Sequence, residues 1–143
     1  MTPMTSFESR KGKVQCTPEE AFTFVTDLRH FRQFIPEGKV ESLTLEKESC
    51  YFAVPAVGGV NVKLAEKRPF QNVIYEGNAL NGNKFSLQLE ISDPNNGNAE
   101  VKVSLEAELN PLLRMMVSGP VNQFLETLIK EMEKFTGWKE TLT

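Results

Sequence analysis

The sequence predicts an α+β fold: a curved antiparallel sheet wrapped around one long C-terminal helix, in the order β-α-α-β6-α. Three observations carry this reading. After Asn110-Pro111, apolar residues recur at three- and four-residue spacing through Met116, Val117, Val121, Phe124, Leu125, Leu128, Met132 and Phe135, the period of one helical face. Before them, segments between Val40 and Leu109 alternate apolar and polar residues between turn signals, the pattern of a sheet buried on one side. Near the N-terminus, Thr17-Pro18-Glu19-Glu20 marks a helix start: a threonine cap, a proline at the first helical position, and a glutamate that can close a capping box.

Taken in order, Met4 to Gln15 is polar with weak alternation and is expected to form one edge or half-exposed strand. The Thr17-capped helix follows, with Ala21, Phe22 and Val25 on one face. Asp27 ends it or caps the next turn, and Leu28 to Phe34 reads as a second short helix that Pro36 and Gly38 stop. The strand series is Val40 to Lys47, Ser49 to Pro55, Gly59 to Arg68, Asn72 to Ala79, Lys84 to Ser92 and Ala99 to Leu109. Gly58-Gly59, Pro69, Asn81-Gly82 and Asp93 to Gly97 separate them, each carrying turn chemistry. Val60, Val62 and Leu64 share a face, as do Phe85, Leu87, Leu89 and Ile91, and Val101, Val103, Leu105 and Ala107. A two-residue Asn81-Gly82 turn would set Glu76 beside Leu87, mixing the faces. A three-residue loop from Asn81 to Asn83, with a bulge, sets Val73 and Tyr75 beside Ile91 and Leu89 and is therefore predicted.

The final helix, from Pro111 to Thr136, would be ~39 Å long at ~1.5 Å per residue. Pro120 lies within it, after Ser118-Gly119. A proline there removes one backbone bond and crowds the preceding turn, so a kink or break is expected near Val117. Lys134 and Gly137 signal the end, with Trp138 able to fold back on Met132 as a Schellman contact.

Composition narrows the function. The chain has 143 residues, 40% hydrophobic and 24% charged, with formal net charge −3, which fits one domain over residues 1–143. The basic residues are scattered, so no nucleic-acid footprint is expected, and the acidic balance argues against docking on anionic lipid. Cys16 and Cys50 stand in no metal-ligand spacing and read as buried or half-buried thiols in a reducing compartment. Residues 1–10 lack the apolar run of a signal peptide, and no segment has the ~20 apolar residues of a membrane span. The expectation is a soluble, cytoplasmic protein without cofactor or metal; no pattern specifies an oligomer.

The order of elements resembles the START-like, or SRPBCC, superfamily of helix-grip folds. That group includes the birch-pollen-allergen-like proteins, polyketide cyclases and aromatases, coenzyme-Q-binding proteins and steroidogenic lipid-transfer domains. The resemblance rests on Phe7-Glu8-Ser9, Val14 to Phe22, Asp27-Leu28-Arg29-His30-Phe31 leading to Ile35-Pro36, and Asn110-Pro111-Leu112-Leu113. It covers essentially the whole chain and specifies fold more than activity. It implies an apolar cavity between sheet and long helix able to hold a hydrophobic small molecule such as a lipid, quinone or polyketide.

Candidate residues are weighed accordingly. The expected ligand-binding set is Phe52, Val62, Leu64, Tyr75, Phe85, Leu87, Leu113, Met116, Val117 and Phe124, with the cavity under the splayed stretch Leu112 to Val117 and Phe124 to Phe135 closing the core. No catalytic residue is assigned. His30, the single histidine, stands beside Arg29 and Arg32 and reads as a surface or cap residue. Glu66 and Arg68 could form a charged pair at a cavity mouth, although a strand that has run past the core edge into water is the simpler reading. Tyr75 lies on the inner face, where its hydroxyl needs a partner. Noncatalytic binding of an apolar molecule is the reading adopted; a cyclase-, aromatase- or dehydratase-type enzyme and a protein-interaction module are the alternatives.

Overall fold

In the computed structural model, which describes residues 4–35, 41–54, 58–69, 71–79, 83–93 and 98–138, the predicted elements appear in the predicted order. The stop at Pro36 and Gly38 and the Asn81-Gly82 turn lie outside the described residues. The first strand divides in two, β1 (Met4–Glu8) and β2 (Gly12–Lys13). Between them Ser9 holds β8 (Glu100–Glu108), its amide donating to the Val103 carbonyl and its hydroxyl accepting from the Val103 amide. The break lets Arg10 reach the C-terminal helix α2 (Pro111–Lys134), where its guanidinium meets Glu133 at 2.6 and 2.9 Å and Glu126 at 3.2 Å. At Gly12 the same helix comes so near that an added Cβ would stand 2.7 Å from Ile129.

Helix α1 (Pro18–Val25) starts on the anticipated capping box, with Thr17 and Glu20 bonding reciprocally. The segment Leu28–Phe34 is a 3-10 helix, opened by the Asp27 carboxylate accepting from the Arg29 amide. Its three-residue turn explains a correction. At three residues per turn, Leu28, Phe31 and Phe34 make one row, Arg29 and Arg32 another, and His30 falls in a third. His30 is therefore not on a solvated face. It is 7% exposed, stacked on Phe24 with ring centroids 3.9 Å apart, and its Nδ1 lies 2.7 Å from the Phe24 carbonyl. A carbonyl only accepts, so Nδ1 carries a proton, and the buried Nε2 has no hydrogen-bond partner among the described residues.

Asp27 is held below the usual carboxylate range, first by the Arg29 side chain and further by the Arg29 amide, against the opposing effect of burial. A depressed folded-state value means stability that is complete above the unfolded value of ~4 and lost as pH falls through the folded one. Stability should therefore decline on acidification below about pH 4. Asp27→Asn should be less stable at neutral pH and show a shallower acid decline, measured by urea unfolding across that range. An unchanged acid slope would remove Asp27 from the account.

Strands β3 (Glu41–Leu45), β4 (Ser49–Val54), β5 (Gly58–Arg68), β6 (Asn72–Ala79), β7 (Asn83–Ser92) and β8 meander antiparallel. The sheet order is β1-β8-β7-β6-β5-β4-β3, with β2 also paired to β8. β1 is thus an edge strand, as expected. Between β6 and β7 the parity holds but the register does not: Tyr75 faces Leu87 and Val73 faces Leu89, two residues from the expected partners. Ala79 pairs with Asn83, so the connection has the predicted odd length.

Helix α2 runs from Asn110, whose side chain caps the Leu113 amide, to Lys134 without the break anticipated near Val117. Gly119 helps explain the continuity, since a residue before proline is disfavoured in the helix mainly through its Cβ, which glycine lacks. The C-terminal cap also differs. Phe135 leaves the helix extended, and Gly137 is not left-handed. This exit delivers Trp138 to Phe24, Phe34 and Phe135, with ring centroids 5.2 to 5.5 Å away. That aromatic cluster belongs to the same buried core as Val25, Leu125, Ile129 and Met132. Among the described residues no helix is long and apolar enough to cross a membrane.

Candidate functional site

The long helix does not cover the sheet evenly. α2 packs against β1, β2, β8 and the 3-10 helix, while the rest of the sheet curves past it. Between them lies a cavity of about 160 Å³. Cys50, Phe52 and Val54 enter it from β4, Val60 and Val62 from β5, and Tyr75 and Ala79 from β6. β7 contributes Asn83, Phe85 and Leu87, and β8 contributes Leu105 and Ala107. Val117, Pro120, Val121, Phe124 and Leu128 form the helical wall, and Leu28, Phe31 and Ile35 close one side. Alternation puts these strand residues on one face, and small side chains at Ala79 and Ala107 leave the space unfilled.

Of the expected set, Phe52, Val62, Tyr75, Phe85, Leu87, Val117 and Phe124 line the cavity. Leu64, Leu113 and Met116 do not. Leu64 is the last residue before a register shift in β5 and packs on the core. Leu113 is only partly buried, one turn before the cavity begins. Met116 is 52% exposed and lies near Leu112 and Met115, which are more exposed still. At 100° per residue it sits about a quarter turn from Val117, off the buried stripe, so the helical angle itself could have excluded it. The same angle finds Val121 and Leu128, and alternation from Phe52 finds Cys50. The cavity consequently lies under Val117 to Leu128, one to three turns beyond the position expected from a kink, and Phe124 lines it as well as closing the core.

Polar groups are few. Among the described lining residues no charged side chain occurs, and side-chain polar atoms belong to Asn83, Tyr75 and Cys50. The Tyr75 hydroxyl donates to the Val25 carbonyl at 2.6 Å. That carbonyl ends α1, where the helix itself supplies no donor. Burial, with a smaller contribution from Cys50, holds the phenol well above its ordinary value, so it stays a donor at every physiological pH. Burial likewise pushes the Cys50 thiol up to about 11 and the Cys16 thiol, with a contribution from Glu20, to about 12. Both cysteines are free and neither is an activated nucleophile. Glu66 and Arg68 are exposed and meet each other at 3.5 Å, so the water-facing reading of that strand end holds. Among the described residues no cluster could hold a metal.

Removing the Tyr75 hydroxyl would leave the Val25 carbonyl without this donor in the interior. Tyr75→Phe should cost ~1–3 kcal/mol, measured by chemical denaturation. A loss below about 0.5 kcal/mol would mean the carbonyl finds another donor.

No protein-family model matches the chain, and the curated proteins give no match. Solved structures do match in fold. Norcoclaurine synthase from Thalictrum flavum, a point mutant in complex with a transition-state analogue, superposes with a TM-score of 0.71 at 13% identity, covering 94% of each chain. A START superfamily protein from Mycobacterium smegmatis gives 0.63 at 12% identity, covering 93% of this chain and 99% of the other. A protein from Chromobacterium violaceum gives 0.60 at 12% identity, covering 91% and 97%. The chain has the START-like helix-grip fold that its sequence order suggested.

Proposed function

We propose that this protein binds a hydrophobic small molecule, without transforming it, in the cavity between β4–β8 and α2. One observation carries the reading: the cavity wall is apolar throughout its described length apart from an amide, a thiol and a phenol already bonded to Val25. An apolar hole is the form of site that an apolar solute fills favourably. The enzyme alternative needs two or more polar side chains converging on a substrate. Of its candidates, Glu66 and Arg68 meet each other on the surface, and the Tyr75 hydroxyl is occupied. Norcoclaurine synthase is an enzyme of this fold, but a likeness at 13% identity carries fold and not chemistry. The free, poorly reactive thiols fit a reducing compartment, which the proposal takes to be the cytoplasm. The scattered basic residues and net charge of −3 support no nucleic-acid partner.

The test is native mass spectrometry of the purified protein after incubation with a cellular organic extract. A discrete mass adduct that disappears on denaturation and is recovered as a neutral apolar compound supports the proposal. Recovery of only the bare protein mass under conditions that preserve apolar complexes contradicts it.

A further inference from the structure

The cavity is small, and its size and wall say more than that its occupant is apolar. Pockets for drug-sized molecules span roughly 300–1,000 Å³, whereas an apolar hole of ~150 Å³ is enough for benzene. At about 160 Å³ this cavity belongs with the second. A long acyl chain or a four-ring skeleton would need the sheet to open. Charge is excluded as well. No ionisable carboxylate, ammonium, guanidinium or imidazole faces the cavity among the described residues, so a charged guest would lose its water and gain no counter-ion.

The wall is aromatic from opposite sides. Phe31 from the 3-10 helix meets Tyr75 of β6 edge-on, with ring centroids 5.8 Å apart at 85°. Phe52 of β4 and Phe124 of α2 lie nearly parallel, 6.4 Å apart at 21°, joining sheet to helix beside the space. Phe85 adds a further ring from β7. Rings presenting both faces and edges reward a guest that is itself aromatic, because ring faces are electron-rich and ring edges electron-poor. Resting on the binding reading above, we infer that the ligand is a compact, uncharged aromatic molecule of one ring or one small fused ring system, and that the cavity discriminates against long-chain lipids.

Isothermal titration with toluene, indole, benzoate and methyl palmitate tests this on the intact chain. Toluene and indole should bind at least ~10-fold more tightly than benzoate or methyl palmitate, a difference of ~1.4 kcal/mol. Val62→Phe and Ala107→Leu, each adding bulk to the cavity, should lose toluene while melting cooperatively. Methyl palmitate binding as tightly as toluene or more so would overturn the inference and leave the carrier reading standing. Failure of toluene and indole to bind would overturn the inference, while the extract experiment decides the binding reading separately. Toluene binding that neither filling variant weakens, in folded protein, would place the ring elsewhere and also overturn the inference.

Discussion

Gly77→Ala should be among the most destabilising small substitutions in this protein, lowering stability by ~3 kcal/mol or more and the melting temperature by roughly 10 °C. Gly77 lies within β6, paired on one side with Val62 and on the other with Phe85. A Cβ built there falls on the Asn61 carbonyl oxygen and stands 2.8 Å from the Phe85 ring. The ring tip can turn aside. The carbonyl cannot, because Asn61 is fixed in β5 between β4 and β6. Relief therefore requires two hydrogen-bonded strands to separate, and close-packed interiors resist such shifts. Gly77 stands between Val62 and Phe85, which both line the cavity, so the same substitution would disturb its wall. Urea unfolding and a thermal melt check the result. A loss under about 1 kcal/mol would mean the strands yield easily there.

Val62→Phe should abolish binding, weakening any cavity ligand by more than ~10-fold, equivalent to at least ~1.4 kcal/mol, while changing stability much less than Gly77→Ala. Val62 faces the cavity from β5, so the larger side chain enters space that is already there. Overpacking costs ~1–3 kcal/mol where an interior is full, but here added apolar burial offsets it. The contrast between the two variants is the informative part. Gly77→Ala adds one carbon where no room exists and should damage the fold. Val62→Phe adds a ring where room exists and should damage only binding. Titration of the ligand against each folded variant, beside circular dichroism melts, separates the cases. If Val62→Phe destabilised the protein as much as Gly77→Ala, the space seen in the structure would not be available to a side chain or a guest.

The sequence is most legible where local chemistry is self-contained. The Thr17 box and the Asn110-Pro111 start locate both α-helices because each satisfies orphan amides with its own side chains. Alternation locates the strands and chooses the inner face. It cannot choose between registers two residues apart, since a shift of two returns every side chain to the same face. That is why Tyr75 meets Leu87 and not Leu89. His30 was hidden by a different ambiguity: the row on which it falls depends on whether the turn holds three residues or 3.6. Met116 shows the cost of treating neighbouring apolar residues as one stripe. The position of the cavity depends on how far α2 tilts from β4–β7, and only the assembled packing determines that.

Xenon most directly tests the central claim that an apolar, reachable cavity lies between the sheet and α2. It binds apolar holes without regard to shape or polar contacts. Methyl-labelled protein, refolded from denaturant to remove any bound compound, should show saturable shifts under xenon pressure at Val62, Leu87, Leu105, Val121 and Leu128. The exposed methyls of Leu112 and Met115 should show only weak, non-saturating changes. Saturable shifts confined to Leu112 and Met115, or none at the cavity-lining methyls, would contradict the account.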